Sequence, residues 1–297
     1  MSIDGRTHLA GVIGWPVEHS LSPAMHNAAY AAMDLNWVYL PLPVADQRHL
    51  MAVVEALRAL PFVGFNVTMP HKRAMLELCD EVAMFAQLAG SVNTVHCVDG
   101  HLVGYNTDGR GMLEALRLEA NWSPEGARVA VLGAGGAAGA ALVACAVGRA
   151  AHVTVVNRDV ARAEELAVRA EPSFRLTEVV AVAAGPQSQE AIETADLVVN
   201  ATPVGMTPGD PSPVPEGWLR AGQVVFDMVY QRRSTALLDA ARGAGATALG
   251  GVGMLVSQGA LAIDIWAECT QDPAPRDVMR AAAEAALARS TEGGAGR

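Results

Sequence analysis

Short apolar runs alternate with amphipathic stretches along most of the chain, the pattern of strands and helices built around a sheet. Residues 8–14, 37–44 and 63–69 are apolar runs of strand length. The stretch 23–33 has a helical character, with Ser22 as its expected N-cap and Pro23 at the first helical position. Asp46 is the expected cap of a second helix reaching about Leu60, and residues 75–79 start another helical stretch. Residues 92–97 and 102–105 read as strands joined by Asp99-Gly100, a two-residue hairpin signal. Asp108 then reads as the cap of a helix running to about Glu119.

The polar, turn-rich segment 121–126 (NWSPEG) is a candidate boundary. After it the alternation restarts, with strands expected at 128–132, 152–156, 195–201 and 223–229, a short one at 246–249, and helices between. This order predicts a parallel, doubly wound sheet. Helices at 251–266 and 277–289 close the chain, and 290–297 reads as a frayed tail. The predicted fold class is α/β with two domains. Residues 1–110 plus 252–297 form an α/β substrate domain, and residues 111–251 form a Rossmann-like, dinucleotide-binding one.

Two uncharged stretches, 129–148 and 244–263, have the length of a membrane span. Gly133, Gly135 and Gly136 break the first, and Gly250, Gly251 and Gly253 the second, so each reads as a buried strand-loop-helix unit. Asp4, Gly5, Arg6 and His8 interrupt any apolar leader. A chain of 297 residues that is 51% apolar and 18% charged supplies the core of one large domain or two medium ones. The net charge of −10, with no basic run, argues against a nucleic-acid partner. Cys79, Cys97, Cys145 and Cys269 form no Cys-x-x-Cys pair and no zinc spacing, and are expected to be reduced thiols of a cytoplasmic protein. His19, His26 and His71 show no metal spacing and are expected to pack or hydrogen-bond; no metal is expected.

Residues 128–132 run as a strand into Gly133-Ala134-Gly135-Gly136-Ala137-Ala138, which satisfies G-x-G-x-x-G/A. In this motif the first glycine makes the tight turn, the second admits a pyrophosphate close to the backbone, and the helix start offers N–H groups to the anion. The next strand ends in Val155-Val156-Asn157-Arg158 with no carboxylate at its tip, and Arg162 follows one helical turn on. Guanidinium groups there suit the 2′-phosphate of NADP, whereas Asp159 would repel it if it turned inward.

Gly14-Trp15-Pro16-Val17-Glu18-His19-Ser20-Leu21-Ser22-Pro23-Ala24-Met25-His26-Asn27 resembles the N-terminal signature of the shikimate dehydrogenase family. Further blocks follow in the family's order: Asn66-Val67-Thr68-Met69-Pro70-His71-Lys72, Val92-Asn93-Thr94, Gly104-Tyr105-Asn106-Thr107-Asp108-Gly109, Asn200-Ala201-Thr202-Pro203-Val204-Gly205-Met206 and Gly253-Met254-Leu255-Val256-Ser257-Gln258. The resemblance implies reversible, NADPH-dependent reduction of 3-dehydroshikimate to shikimate, in chorismate and aromatic amino acid biosynthesis. It assigns the proton to Lys72 and Asp108 and the substrate carboxylate to Ser20 and Ser22. The ring hydroxyls fall to Asn66, Thr68, Lys72, Asn93, Asp108 and Gln258, and Tyr230 lines the substrate and nicotinamide. Cofactor contacts extend from the glycine loop (133–138), Asn157, Arg158 and Arg162 to Thr202, Met206, Gly251 and Met254.

From position alone, Lys72 is also compatible with a surface lysine, Asp108 and Ser22 with helix caps, and Met206 and Met254 with core fillers. Oxidising an alcohol sends a proton to a base, and a lysine held beside a carboxylate can take it and return it. The chain departs from many relatives at Gly139, where they carry Arg, and at Asp159, where NADP users often carry Thr. Ser22 leans towards shikimate, because quinate-preferring relatives tend to carry Thr there. The competing readings are a quinate/shikimate dehydrogenase using NAD, and a non-catalytic NADP-binding sensor. The expected partner is a small-molecule substrate only, with no nucleic acid and no membrane, for a monomer or homodimer.

Overall fold

The apolar runs before residue 106 pair into one six-stranded sheet in the computed structural model, which describes residues 3–268 and 273–293. Its strands are β1 (His8–Gly14), β2 (Trp37–Pro43), β3 (Phe62–Val67), β4 (Glu81–Val82), β5 (Thr94–Val98) and β6 (His101–Tyr105), in spatial order β2-β1-β3-β5-β6-β4. Strand β1 lies parallel between β2 and β3, which is why its second half is buried throughout rather than alternating. Strand β5 runs antiparallel to β3 and β6. Asp99 (φ 50°) and Gly100 (φ 80°) take the left-handed conformation that a tight hairpin of this hand requires. Strand β2 stands at the edge, where Pro41 and Pro43 cost no ladder bonds.

Helices α1 (Ser22–Ala32), α2 (Gln47–Arg58) and α3 (Met75–Leu78) connect these strands, and α4 (Met84–Ala89) follows β4. Asp46 caps α2 as expected, accepting from Arg48 N and His49 N. Leu50, Val54 and Leu57, spaced by one helical turn, carry α2 onto a core of Ile13, Phe65, Met75, Val95 and Leu102. Each such side chain contributes about 1.5–3 kcal/mol on burial. One expectation is corrected at α1. The helix starts at Ser22 itself with Leu21 at the cap position, and no side chain caps it. The N–H of Ser22 goes instead to the Ser20 hydroxyl at 3.3 Å.

After α5 (Asp108–Ala120) a second six-stranded sheet is built from β7 (Arg128–Leu132), β8 (His152–Asn157), β9 (Glu178–Ala183), β10 (Leu197–Asn200), β11 (Val224–Asp227) and β12 (Thr247–Gly250). Its order is β12-β11-β10-β7-β8-β9, and every pairing is parallel. The chain reverses direction across the sheet between β7 and β10, the doubly wound arrangement. Helices α6 (Gly136–Val147), α7 (Val160–Ala170), α8 (Gln189–Glu193) and α9 (Ala236–Gly243) intervene. Strand β9 has no counterpart among the sequence-derived strands. It is an edge strand of mostly partly exposed residues, so it lacks the continuous apolar burial that marks its neighbours. Other backbone approaches helix α6 closely: a Cβ on Gly139 would lie 2.1 Å from Ala89 O, so no side chain fits at this position without a shift.

Helices α10 (Val252–Trp266) and α11 (Arg276–Gly293) end the chain, α11 packing on α1. Helix α11 continues to Gly293, past the expected start of the tail at Ser290; residues 294–297 and Cys269 lie outside the described residues. The molecule divides into two units. The first comprises Met1–Gln87, Ser91–Thr107 and Leu255–Arg297; the second comprises Leu88–Gly90 and Asp108–Met254. Segment 121–126, read as a candidate boundary, lies inside the second unit. The two uncharged stretches are β7 with α6 and β12 with α10, and among the described residues no helix is long and apolar enough to cross a membrane.

Candidate active site

In the first unit the C-terminal ends of β1 and β3 lie together. Thr68 N donates to Ile13 O at 2.8 Å, and the Thr68 side chain sits against Gly14, where a Cβ would come within 2.2 Å of Thr68 Cγ2. Ser20 and Ser22 lie at the turn into α1, Ser22 buried and Ser20 partly exposed. Lys72 stands on the turn after β3, partly exposed, and its carbonyl accepts from Val92 N at 2.9 Å. That bond sets Lys72 one residue from Asn93 across the turn.

Asn66, Asn93 and Gln258 come together in a buried polar network, although the last lies 165 residues from Asn93. Asn93 Oδ1 accepts from Thr107 N at 2.8 Å and from the Thr94 hydroxyl at 2.9 Å. A backbone N–H can only donate, so this contact fixes which end of the Asn93 carboxamide is oxygen. Asn93 Nδ2 then donates to Thr107 Oγ1 at 3.0 Å and to Gln258 Oε1 at 3.2 Å. Thr94 and Thr107, absent from the expected site, are therefore its anchors. Both stood inside the quoted blocks, but neither is marked there as more than a neighbour of Asn93 or Asp108. His26 and His71 are buried and bonded to Ser22 O and Val44 O, while His19 is exposed. Burial holds the His26 ring down at about 4, against the pull of the Ser22 and Gly259 backbone, so it is neutral near pH 7.

In the second unit Asp108 opens α5 and is buried. Tyr230 is partly exposed; burial of its hydroxyl, reinforced by the Asp108 charge, pushes the phenol up. The loops after β10 and β11 are tied by a buried carboxylate that sequence reading passed over. Asp227 accepts from Asn200 Nδ2 at 2.9 Å, Val229 N at 3.1 Å and the Thr235 hydroxyl at 2.6 Å. Asn200 Oδ1 in turn accepts from Thr202 N and Oγ1. Thr202 and Tyr230 thus sit on loops fixed to one another. Met254 is buried, and Gly251 packs where a Cβ would lie 2.4 Å from Met228 O.

The glycine loop fits a dinucleotide. Gly133 has φ +111°, and a Cβ on it would meet Ala201 O at 3.0 Å, so the turn against β10 needs glycine. Above Gly135, the cap residue of α6, a Cβ would meet nothing within 4 Å. That open space lies over a helix N-terminus at the sheet's switch point, where a pyrophosphate is received. Asn157, at the tip of β8, donates to Asp159 O at 2.8 Å, and Arg158, Asp159 and Arg162 are all exposed.

Known proteins match the chain along the same division. Residues 12–95 match the family described as shikimate dehydrogenase substrate binding domain, and residues 117–206 match the family described as shikimate / quinate 5-dehydrogenase. The shikimate dehydrogenase (NADP(+)) of Methanopyrus kandleri is 45% identical over 95% of this chain and 97% of its own. The crystal structure of shikimate 5-dehydrogenase from Thermus thermophilus in complex with NADP(H) and shikimate is 35% identical. It superposes with a TM-score of 0.82, covering 94% of this chain and 99% of that one. Quinate dehydrogenase from Corynebacterium glutamicum in complex with NAD is more distant in sequence, at 31% identity and TM-score 0.82 over 93% and 98% of the chains. The chain belongs to the shikimate dehydrogenase family.

Proposed function

We propose that this chain is an NADP-dependent oxidoreductase that interconverts 3-dehydroshikimate and shikimate, on the route to chorismate and the aromatic amino acids. The observation that carries the reading is the Asn93 carboxamide, buried and held by Thr107 and Gln258 one residue from the Lys72 turn. A ring carrying several hydroxyls needs such pre-oriented polar groups beside a proton carrier. Ser20 and Ser22 bind the substrate carboxylate. Thr68, Asn93 and Gln258 form the hydroxyl-reading wall with Asn66 backing Asn93, and Tyr230 lines the ring. In this reading residues 1–110 with 252–297 form the substrate domain and residues 111–251 the cofactor domain.

Residues 133–138, Asn157, Arg158, Arg162, Thr202, Met206, Gly251 and Met254 hold the NADP, which supplies or accepts a hydride when bound. Lys72 Nζ gives the proton to the forming hydroxyl and takes it back in the reverse direction. Asp108 is assigned to the proton transfer together with Lys72. The protein acts on a small molecule alone, as a monomer or homodimer, and its free Cys79, Cys97 and Cys145 suit the reducing cytoplasm.

The test is NADPH absorbance with shikimate or quinate as substrate and NADP or NAD as acceptor. The highest kcat/KM is expected for shikimate with NADP, and an equal or higher value for NAD or quinate overturns the assignment. Lys72→Ala should lower kcat by about 10²–10⁴-fold while leaving NADPH affinity unchanged. A wild-type kcat in that variant removes Lys72 from the chemistry.

A further inference from the structure

Tyr39 is fully buried on the edge strand β2, and its backbone, ring and hydroxyl are all engaged. Asn27 of α1 takes both of its backbone groups: Asn27 Nδ2 donates to Tyr39 O and Tyr39 N donates to Asn27 Oδ1, each at 2.9 Å. His26, the residue before Asn27, stacks on the ring with centroids 4.1 Å apart and planes 18° from parallel. A neutral imidazole brings no buried charge to this position, and the low value of His26 keeps it neutral. The hydroxyl donates to Asn66 Oδ1 at 2.7 Å.

From there the hydrogen bonds have one direction. Asn66 Nδ2 faces Asn93 O at 3.2 Å and Thr94 Oγ1 at 3.1 Å. A backbone carbonyl can only accept, so that end of Asn66 is the nitrogen and the end towards Tyr39 is the oxygen. Thr94 Oγ1, receiving from Asn66, gives its own proton to Asn93 Oδ1 at 2.9 Å. Asn93 Oδ1 is thereby surrounded by donors, and its Nδ2 is left to face Thr107 and Gln258.

We propose that Tyr39 is a positioning residue for substrate recognition, acting through the chain Tyr39–Asn66–Thr94–Asn93 to hold the carboxamide that reads a ring hydroxyl. Asn66 is then a relay, because its oxygen goes to Tyr39 and its N–H groups go to Asn93 O and Thr94. Without the Tyr39 proton, Asn66 Oδ1 is left buried without its donor, which loosens the carboxamide that braces Asn93 O and the Thr94 hydroxyl. The inference rests on the functional reading above, since it needs shikimate as the molecule recognised.

Tyr39→Phe removes the hydroxyl and keeps the ring against His26. The KM for shikimate should rise about five- to tenfold, the loss of one buried hydrogen bond, with the KM for NADP unchanged and kcat altered less than KM. Thr94→Val, which cuts the chain at its next link, should act in the same direction. The penalty should fall below about twofold on a shikimate analogue lacking the one non-reacting ring hydroxyl that Asn93 serves. An unchanged KM for shikimate in both variants overturns the proposal. So does a penalty that is the same on every monodeoxy analogue, which marks a merely structural role. Wild-type protein without turnover on shikimate removes the functional reading and this inference together, whereas an active wild type with unaffected variants removes this inference alone.

Discussion

Asp227 is fully buried, yet three groups from three different segments donate to it. Burial pushes its carboxyl up, against the lowering pull of Thr235, Val229 and Asn200. A carboxyl raised on folding adds stability below its ordinary value of 3.8 and loses that contribution as pH rises through the folded value. Asp227→Asn keeps an acceptor for Asn200 and Val229 without the charge. Its melting temperature relative to wild type should therefore improve between pH 4 and pH 7, and a constant difference across that range refutes the account. Asp227→Ala leaves all three donors without their acceptor and should cost about 2–4 kcal/mol near pH 4, the cost falling towards pH 7 by the same linkage. At this scale the sequence discloses residues whose role is written in a local motif, such as Gly133 before a helix. It does not disclose Tyr39 or Asp227, because their partners lie in segments that only the sheets bring close.

The elements most readable in the sequence are those whose ends carry their own chemistry. The Asp46 cap of α2 and the Asp99-Gly100 hairpin are local, so the residues that specify them are adjacent. The two-residue β4 and the edge strand β9 are not local in this sense; they exist because β6 and β8 offer them a ladder. A charged clasp joins the end of α2 to this edge of the first sheet. Arg58 bonds Asp80, Gly100 O and Leu78 O, and Asp80 also accepts from Leu102 N on β6. The Arg58 guanidinium first, and Leu102 N after it, hold the Asp80 carboxyl down at about 2. A depressed carboxyl stabilises above its ordinary 3.8 and ceases to do so as pH falls through about 2. Asp80→Asn should accordingly melt below wild type near pH 7, with the gap narrowing as pH falls from 4 towards 2. Thermal melts across that range check it, and a gap that widens towards acid overturns it.

At the scale of the molecule, the chain passes from one unit to the other at Gln87–Leu88, Gly90–Ser91, Thr107–Asp108 and Met254–Leu255. The alternation of strands and helices shows that two α/β sheets exist. The expected division after residue 110 puts most of α5 with the second sheet, whereas the candidate boundary at 121–126 puts it with the first, because helix and strand periods carry no record of which sheet a helix joins; the units divide at Thr107–Asp108. The first unit is assembled from three stretches, while the second is one run of chain, Asp108–Met254, apart from the three residues Leu88–Gly90. Its sheet is complete within that run, and so is the core of Leu132, Val198, Val225, Leu237 and their neighbours. A region with its own closed sheet and core folds as a unit. Residues 108–254 expressed alone should therefore give a cooperative melt and bind NADPH, since the glycine loop, Arg158 after β8 and Arg162 of α7 lie inside it. NADPH at about a hundredfold over its Kd should raise the stability of this fragment by about 2.7 kcal/mol, read as an upward shift of the melting temperature. Shikimate should leave the melt unmoved and no turnover should occur, because Lys72, Asn93 and Gln258 are absent. A fragment that folds but melts identically with and without NADPH would place the cofactor site elsewhere than on this sheet.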